Sequence, residues 1–261
     1  MIEDSRFRAL LSRLRSALIF WPMTVLITLL LEPFSIGAAL LDRTGRISHR
    51  VVSFWSGLLL RFYGMPVTVT GLERLDLTRP HLYAANHLSA LDIPLLYRYL
   101  PFQFRIIAHR LVFRVPLVGW HLRAAGQLMI DPGSIALSRR ALREAVKTLQ
   151  GGMSMVVFPE GERSPTGEMQ PFRRGAFYVA VEAEADVVPV AIMGTYRAFP
   201  RGSAHMRPGP LQLIVGDAIP VAGCSDLSAL AERAQAAVAD LLRPAEQEQR
   251  LAPGSKSSRH S

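Results

Sequence analysis

The chain predicts an α/β fold: a single central mixed β-sheet flanked by helices, with a membrane-associated helical hairpin at the amino terminus. Three observations predict it. From residue 66 onward, short apolar runs of strand length alternate with amphipathic segments of helical period. The amino-terminal stretch is instead a long apolar run led by arginines. Finally, 261 residues that are 49% hydrophobic suffice for one sizeable core plus an appendage, and are too few for two domains of ordinary size. The expected organisation is a membrane-associated helical region over residues 1–65, an α/β domain over 66–243 and a disordered tail over 244–261.

In the first region Arg6, Arg8, Arg13 and Arg15 precede an uncharged apolar run over residues 17–31. Glu32-Pro33 is expected to break it before it resumes over 34–41. Fifteen helical residues reach about 22 Å, short of the roughly 30 Å hydrocarbon core, so the reading is two helices dipping into one leaflet with the arginines at the phosphates. A single tilted span through Leu41 and a cleaved secretory signal are the competing readings. Residues 51–63 form a further apolar segment whose Trp55, Leu59 and Phe62 share a face that suits core packing.

The elements that follow read in order as strands at 67–70 and 82–85, a helix at 93–100 and a strand at 103–108. Residues 138–149 are an amphipathic helix with Leu142, Val146 and Leu149 on one face and Arg139, Arg140, Arg143 and Lys147 largely away from it. Gly151-Gly152 ends it. A buried strand at 153–158, a helix at 172–182, strands at 186–192 and 211–215 and an amphipathic helix at 227–242 complete the domain. Beyond Pro244 the chain is polar, Ser-rich and aperiodic.

The formal net charge of +9 is carried almost wholly by arginine, lysine occurring only at Lys147 and Lys256. Such a balance favours an anionic surface. No zinc finger, RNA-binding signature or basic run with interleaved aromatics is present, so nucleic acid is excluded as a partner and membrane lipid favoured. The single cysteine, Cys224, rules out an internal disulfide. The seven histidines show no metal-ligand spacing, and no metal is expected.

Two motifs carry chemistry. The first is Tyr83-Ala-Ala-Asn-His-Leu-Ser-Ala-Leu-Asp92, in which His87 and Asp92 have the makings of a general base and its orienting carboxylate. Residues five apart on one helix diverge by roughly 140°, so a loop must bring the two together. His87 is therefore placed at the carboxyl end of a strand and Asp92 at the start of the next helix, as its N-cap, with Pro94 in the first turn. Taken singly, Asp92 as a mere cap and His87 as a satisfied strand-end histidine are the plain alternatives. Ser89 lacks the surroundings of a nucleophile elbow, so the attacking hydroxyl belongs to the substrate. The second motif, Phe158-Pro-Glu-Gly-Glu-Arg-Ser164, follows a buried strand and supplies a turn glycine and an arginine suited to an anion.

Asn86-His87-x-x-x-x-Asp92, Phe158-Pro-Glu-Gly-x-Arg-Ser164, Phe172-Arg-Arg-Gly175 and Val188-Pro-Val-Ala-Ile192, with Pro116-Leu-Val-Gly-Trp120 between the first two, resemble the motif series of the glycerolipid acyltransferases of the lysophosphatidic acid acyltransferase type. A lone H-x-x-x-x-D arises often by chance, whereas four blocks in order are specific. The resemblance implies direct transfer of a fatty acyl group from a thioester, acyl-CoA or acyl carrier protein, to the hydroxyl of lysophosphatidic acid, with no further cofactor. It implies that His87 deprotonates the acceptor while Asp92 holds the imidazole, and that Glu160, Gly161, Arg163 and Ser164 belong to the acceptor site. The cytoplasmic donors imply the cytoplasmic face of the inner membrane. One departure stands out: the middle block Gly126-Gln-Leu-Met-Ile130 continues as Asp131-Pro132 where the family commonly has x-Arg. Arg123, Arg139 or Arg140 are the candidate substitutes, and His109-Arg110 stand where relatives often carry lysine. A different lyso-lipid acceptor, such as lyso-ornithine lipid, and an inactive lipid-binding scaffold are the alternative functions.

Overall fold

The computed structural model describes residues 10–42, 44–131 and 133–251. Among them, seven strands form one sheet: β1 (Val67–Thr70), β2 (Leu82–Ala85), β3 (Phe104–His109), β4 (Leu128–Ile130), β5 (Ser154–Val157), β6 (Val187–Met193) and β7 (Leu211–Val215). Their order is β1-β7-β6-β2-β5-β3-β4. All neighbours are parallel except β6 and β7, whose antiparallel pairing sets Val190 opposite Val215 and makes the sheet mixed. Central β2 and β6 are buried along their whole length, as continuous apolar runs covered on both faces should be. β4 is absent from the sequence reading, because three residues are too few to display a period of two.

The helices are α1 (Leu10–Leu41), α2 (Arg46–Phe62), α3 (Asp92–Tyr99), α4 (Val118–Ala124), α5 (Ile135–Gln150), α6 (Gly175–Glu182), α7 (Thr195–Ala198) and α8 (Leu227–Leu251). They cover the sheet on both faces. Leu59, Leu60 and Tyr63 of the α2 region and Leu95, Leu96 and Tyr97 of α3 pack with Tyr83 and Phe104 on one face. Ala145 and Leu149 of α5, Phe177 of α6 and Leu230 and Val238 of α8 pack with Leu82 and Met155 on the other. Alternation along β2 sends Leu82 and Ala84 one way and Tyr83 and Ala85 the other, so a single strand joins both cores.

The amino-terminal hairpin differs from the expected one. Glu32-Pro33 does not interrupt the helix; α1 runs through it for 32 residues, about 48 Å. Pro33 forfeits one helical hydrogen bond, and neighbouring contacts hold the helix together. Glu32 turns inward, with its carboxylate 3.6 Å from His121 of α4, and Ser35 hydrogen-bonds the same imidazole at 2.8 Å. The charge that was read as a break is thus buried against protein. The hairpin turn lies instead at 42–45, where the Asp42 carboxylate accepts from the Thr44 hydroxyl and the Ile47 N–H and Gly45 takes φ +71°. Its second arm is α2, joined to α1 by a Trp55 Nε1 bond to Thr28 and a Thr24–Tyr63 hydroxyl contact. By length and composition α1 is able to cross a membrane, and Leu18, Phe34 and Leu41 on it are 70–89% exposed.

At the other end, α8 continues past Pro244 to Leu251, where loss of regular structure was expected. Residues 252–261 of the expected tail lie outside the described residues.

Candidate active site

Strand β2 ends at Ala85, and the next residue fixes where the chain departs. The Asn86 amide imitates a strand: its Nδ2 donates to the Ile192 carbonyl at 3.0 Å and its Oδ1 accepts from the Ile192 N–H at 2.7 Å. His87 follows, and its backbone is held on both sides by the loop after β5. Its N–H donates to Glu160 Oε1 at 2.6 Å, and its carbonyl accepts from the Ser164 N–H at 2.8 Å. The two motifs therefore converge on one edge of the sheet.

Asp92 is the first residue of α3 and not its expected N-cap, a position that Leu91 occupies without a side-chain cap. Rather than accepting from the helix ahead of it, its Oδ2 reaches back to the N–H groups of Leu88 at 2.7 Å and Ser89 at 2.9 Å, closing the connecting loop, and receives His87 Nδ1 at 2.8 Å. Ser89 is no nucleophile: it is buried, and its hydroxyl donates to the Phe199 carbonyl at 2.6 Å. Oδ2 already acts as acceptor for two N–H groups, so Nδ1 is the donor that carries the imidazole proton and Nε2 presents its lone pair outward. The ring keeps 16% of its surface exposed, while Asp92 is fully buried. Phe158 stacks on the imidazole with ring centres 3.9 Å apart and planes 16° from parallel, which fixes its tilt. That contact lay within a motif already singled out, but only the fold shows which ring it meets.

The remaining predicted residues sit close by and have structural contacts of their own. Glu160 is buried, and its carboxylate bridges the His87 N–H and the Gln170 N–H, the latter at 2.9 Å. It clasps two loops and makes no side-chain pair with Arg163. Burial pushes its pKa up to about 7, against the pull of the two N–H donors. Ser164 is also buried, and its hydroxyl accepts from the N–H groups of Thr166 and Gly167, which stabilises the turn. Gly161 has φ +82°, and a Cβ there would come within 3.0 Å of the Arg173 guanidinium. The glycine therefore lets Arg173 lie over the turn, a residue the sequence reading quoted without a role. Arg163 is half-buried; its carbonyl accepts from Arg201, which also pairs with Glu162 at 2.8 Å. Arg163, Arg173 and Arg201 thus surround one turn, with Glu162 offsetting one of their charges.

At the departure from the family pattern, Asp131 pairs with Arg110 at 2.8 Å and ties down the Gly133 N–H. Arg110 is consequently engaged. Arg123 donates to the Gly119 carbonyl, and Arg139 and Arg140 lie exposed on α5. Among the described residues, none of the three is a hydrogen-bond partner of His87, Asp92 or Glu160.

A histidine lone pair backed by a buried carboxylate, at the edge of an α/β sheet and beside arginines, is an arrangement suited to taking a proton from a substrate hydroxyl. A family model described as Acyltransferase matches residues 66–193. The chain is 32% identical over 242 residues to a 1-acyl-sn-glycerol-3-phosphate acyltransferase of Chlamydomonas reinhardtii, covering 90% of this chain and 71% of that one. It is 35% identical over 161 residues to the enzyme of that name from Saccharomyces cerevisiae, covering 55% and 50%. The crystal structure of the 1-acyl-sn-glycerophosphate (LPA) acyltransferase PlsC from Thermotoga maritima superposes with a TM-score of 0.75 at 26% identity, over 98% of this chain and 99% of that one. The chain belongs to the acyltransferase family.

Proposed function

We propose that the protein transfers a fatty acyl group from a thioester to the free hydroxyl of lysophosphatidic acid, giving phosphatidic acid at a membrane surface. The observation that carries this reading is the outward Nε2 of His87, supported by Asp92 and placed beside the arginine-lined turn. Nε2 accepts the hydroxyl proton as the acceptor oxygen attacks the thioester carbonyl. The carbon–sulfur bond then breaks, and the imidazolium returns the proton to the departing thiolate. Asp92 stabilises the imidazolium charge throughout. The donor is acyl-CoA or acyl carrier protein, both cytoplasmic, which assigns the site to the cytoplasmic face of the inner membrane. The exposed apolar side of α1 fits burial in one leaflet, since its other side is occupied by α2 and α4.

Incubating the purified protein with radiolabelled acyl-CoA and a panel of lyso-lipids tests the reading. Labelled phosphatidic acid is the expected product, whereas labelled ornithine lipid alone would replace the acceptor. Within this reading Arg163 grips the acceptor phosphate. Arg163→Ala is expected to raise the acceptor KM by about ten- to a hundredfold, the loss of one charge-assisted contact, with little change in the donor KM. Equal changes in both constants would move the guanidinium out of the phosphate site.

A further inference from the structure

The motif at residues 116–120 has no part in the chemistry above, yet its backbone is tightly constrained. Leu117 takes φ +63° and ψ −61°, with the Val118 N–H donating to the Pro116 carbonyl at 2.7 Å, a strained γ-turn that a leucine rarely adopts. Two residues on, a Cβ at Gly119 would come within 2.1 Å of the Phe113 carbonyl, so only glycine lets the two arms of the turn close. What this tight turn displays is apolar. Leu111, Val115 and Trp120 are 55%, 48% and 58% exposed, while Phe113 between them points into the core.

From this we propose that the 111–120 turn is a second membrane-docking surface, which seats the α/β domain itself on an anionic bilayer. Two observations select lipid as the occupant. The turn leads into α4, which packs against α1: His121, next to Trp120 in sequence, hydrogen-bonds Ser35, next to Phe34 in sequence, and Phe34 and Trp120 are both exposed. The segment from 109 to 130 also contains no aspartate or glutamate, while Arg114 and Arg123 are exposed on it. Tryptophan among leucine and valine, bordered by arginines, is the composition that settles at headgroup depth. Together α1 and the turn touch the surface at two places, which restricts rotation of the domain about α1. The proposal rests on reading the chain as a membrane enzyme, and its test separates the two.

The experiment uses the full chain carrying W21F and W55F, so that Trp120 alone emits, mixed with phosphatidylcholine–phosphatidylglycerol vesicles with or without brominated acyl chains. Sedimentation is measured on the same samples. Trp120 emission is expected to fall about twofold in the brominated vesicles. In a background with all tryptophans retained, Leu111→Asp with Val115→Asp, both at exposed positions, should weaken vesicle binding about tenfold without altering the circular dichroism spectrum. Protein that pellets normally with Trp120 unquenched, and with the double aspartate variant binding like wild type, would overturn the second surface and leave α1 as the anchor. Failure to pellet at all would instead remove the membrane reading beneath both. A change in Trp120 emission with acyl carrier protein in place of vesicles would reassign the turn to a protein partner and likewise overturn the proposal.

Discussion

Replacing His87 with alanine is expected to lower kcat for acyl transfer by about 10²- to 10⁴-fold while leaving both KM values within a few-fold, the signature of a group that acts in the transition state. The fold should survive. The imidazole is partly exposed, and its backbone contacts to Glu160 and Ser164 do not depend on the side chain. Residual turnover would come from holding donor and acceptor together. Asp92→Asn should lower kcat as well, because a neutral amide no longer offsets the imidazolium charge. Asp92→Ala should in addition loosen the loop, since it strips a common acceptor from the N–H groups of Leu88 and Ser89. Steady-state kinetics with saturating acyl-CoA, read beside circular dichroism, checks all three. Near-normal turnover by a well-folded, membrane-bound His87→Ala enzyme would end the general-base assignment.

Glu160→Ala is expected to be the most destabilising change at the site, and to lower activity without any contact to substrate. It leaves the part-buried N–H groups of His87 and Gln170 without their protein acceptor, at up to about 1–3 kcal/mol each. The strand-end that carries the imidazole also loses its attachment to the loop after β5. Glu160→Gln keeps one acceptor and sets an amide NH2 against the other donor, so it should fall between wild type and alanine in melting temperature. The pH dependence follows from burial. The folded carboxyl has its pKa raised from 4.5 to about 7, so the folded state holds this proton more tightly than the unfolded chain. The associated stabilisation is complete below about pH 4.5 and is lost as pH rises through about 7, on the order of 3 kcal/mol at full extent. The margin of wild type over Glu160→Gln should therefore narrow from pH 4.5 to pH 7 in thermal unfolding. A margin that widened over that interval would show that the two N–H donors outweigh burial and keep the carboxylate ionised.

Particular residues show how far the primary structure could be read. His87 and Asp92 were paired correctly because a helix cannot join residues five apart, which leaves only a loop between strand and helix. The buried strands β2, β5 and β6 announced themselves as apolar runs of the right length. Gly161 was rightly placed at a tight turn, though the group it makes room for is Arg173. Glu160 and Ser164 were assigned to the acceptor because their motif is; that the Glu160 carboxylate also bridges the N–H groups of His87 and Gln170 depends on a strand far away in sequence. The supposed break at Glu32-Pro33 failed for a similar reason. Proline disfavours a helix by a fixed local penalty, but the site that buries Glu32, His121 beside it, was contributed by a distant segment.

Most strand and helix identities, the His87–Asp92 pairing and the family were thus written in order along the chain, because periodicity, turn chemistry and motif spacing are short-range properties. Which face Asp92 serves, what Glu160 holds, where the hairpin turns and how the 111–120 turn meets α1 depend on side chains that folding brings together from far apart. His87 and Glu160, separated by 73 positions, are the plainest case: their 2.6 Å contact exists because parallel β2 and β5 lie side by side and end at the same edge of the sheet.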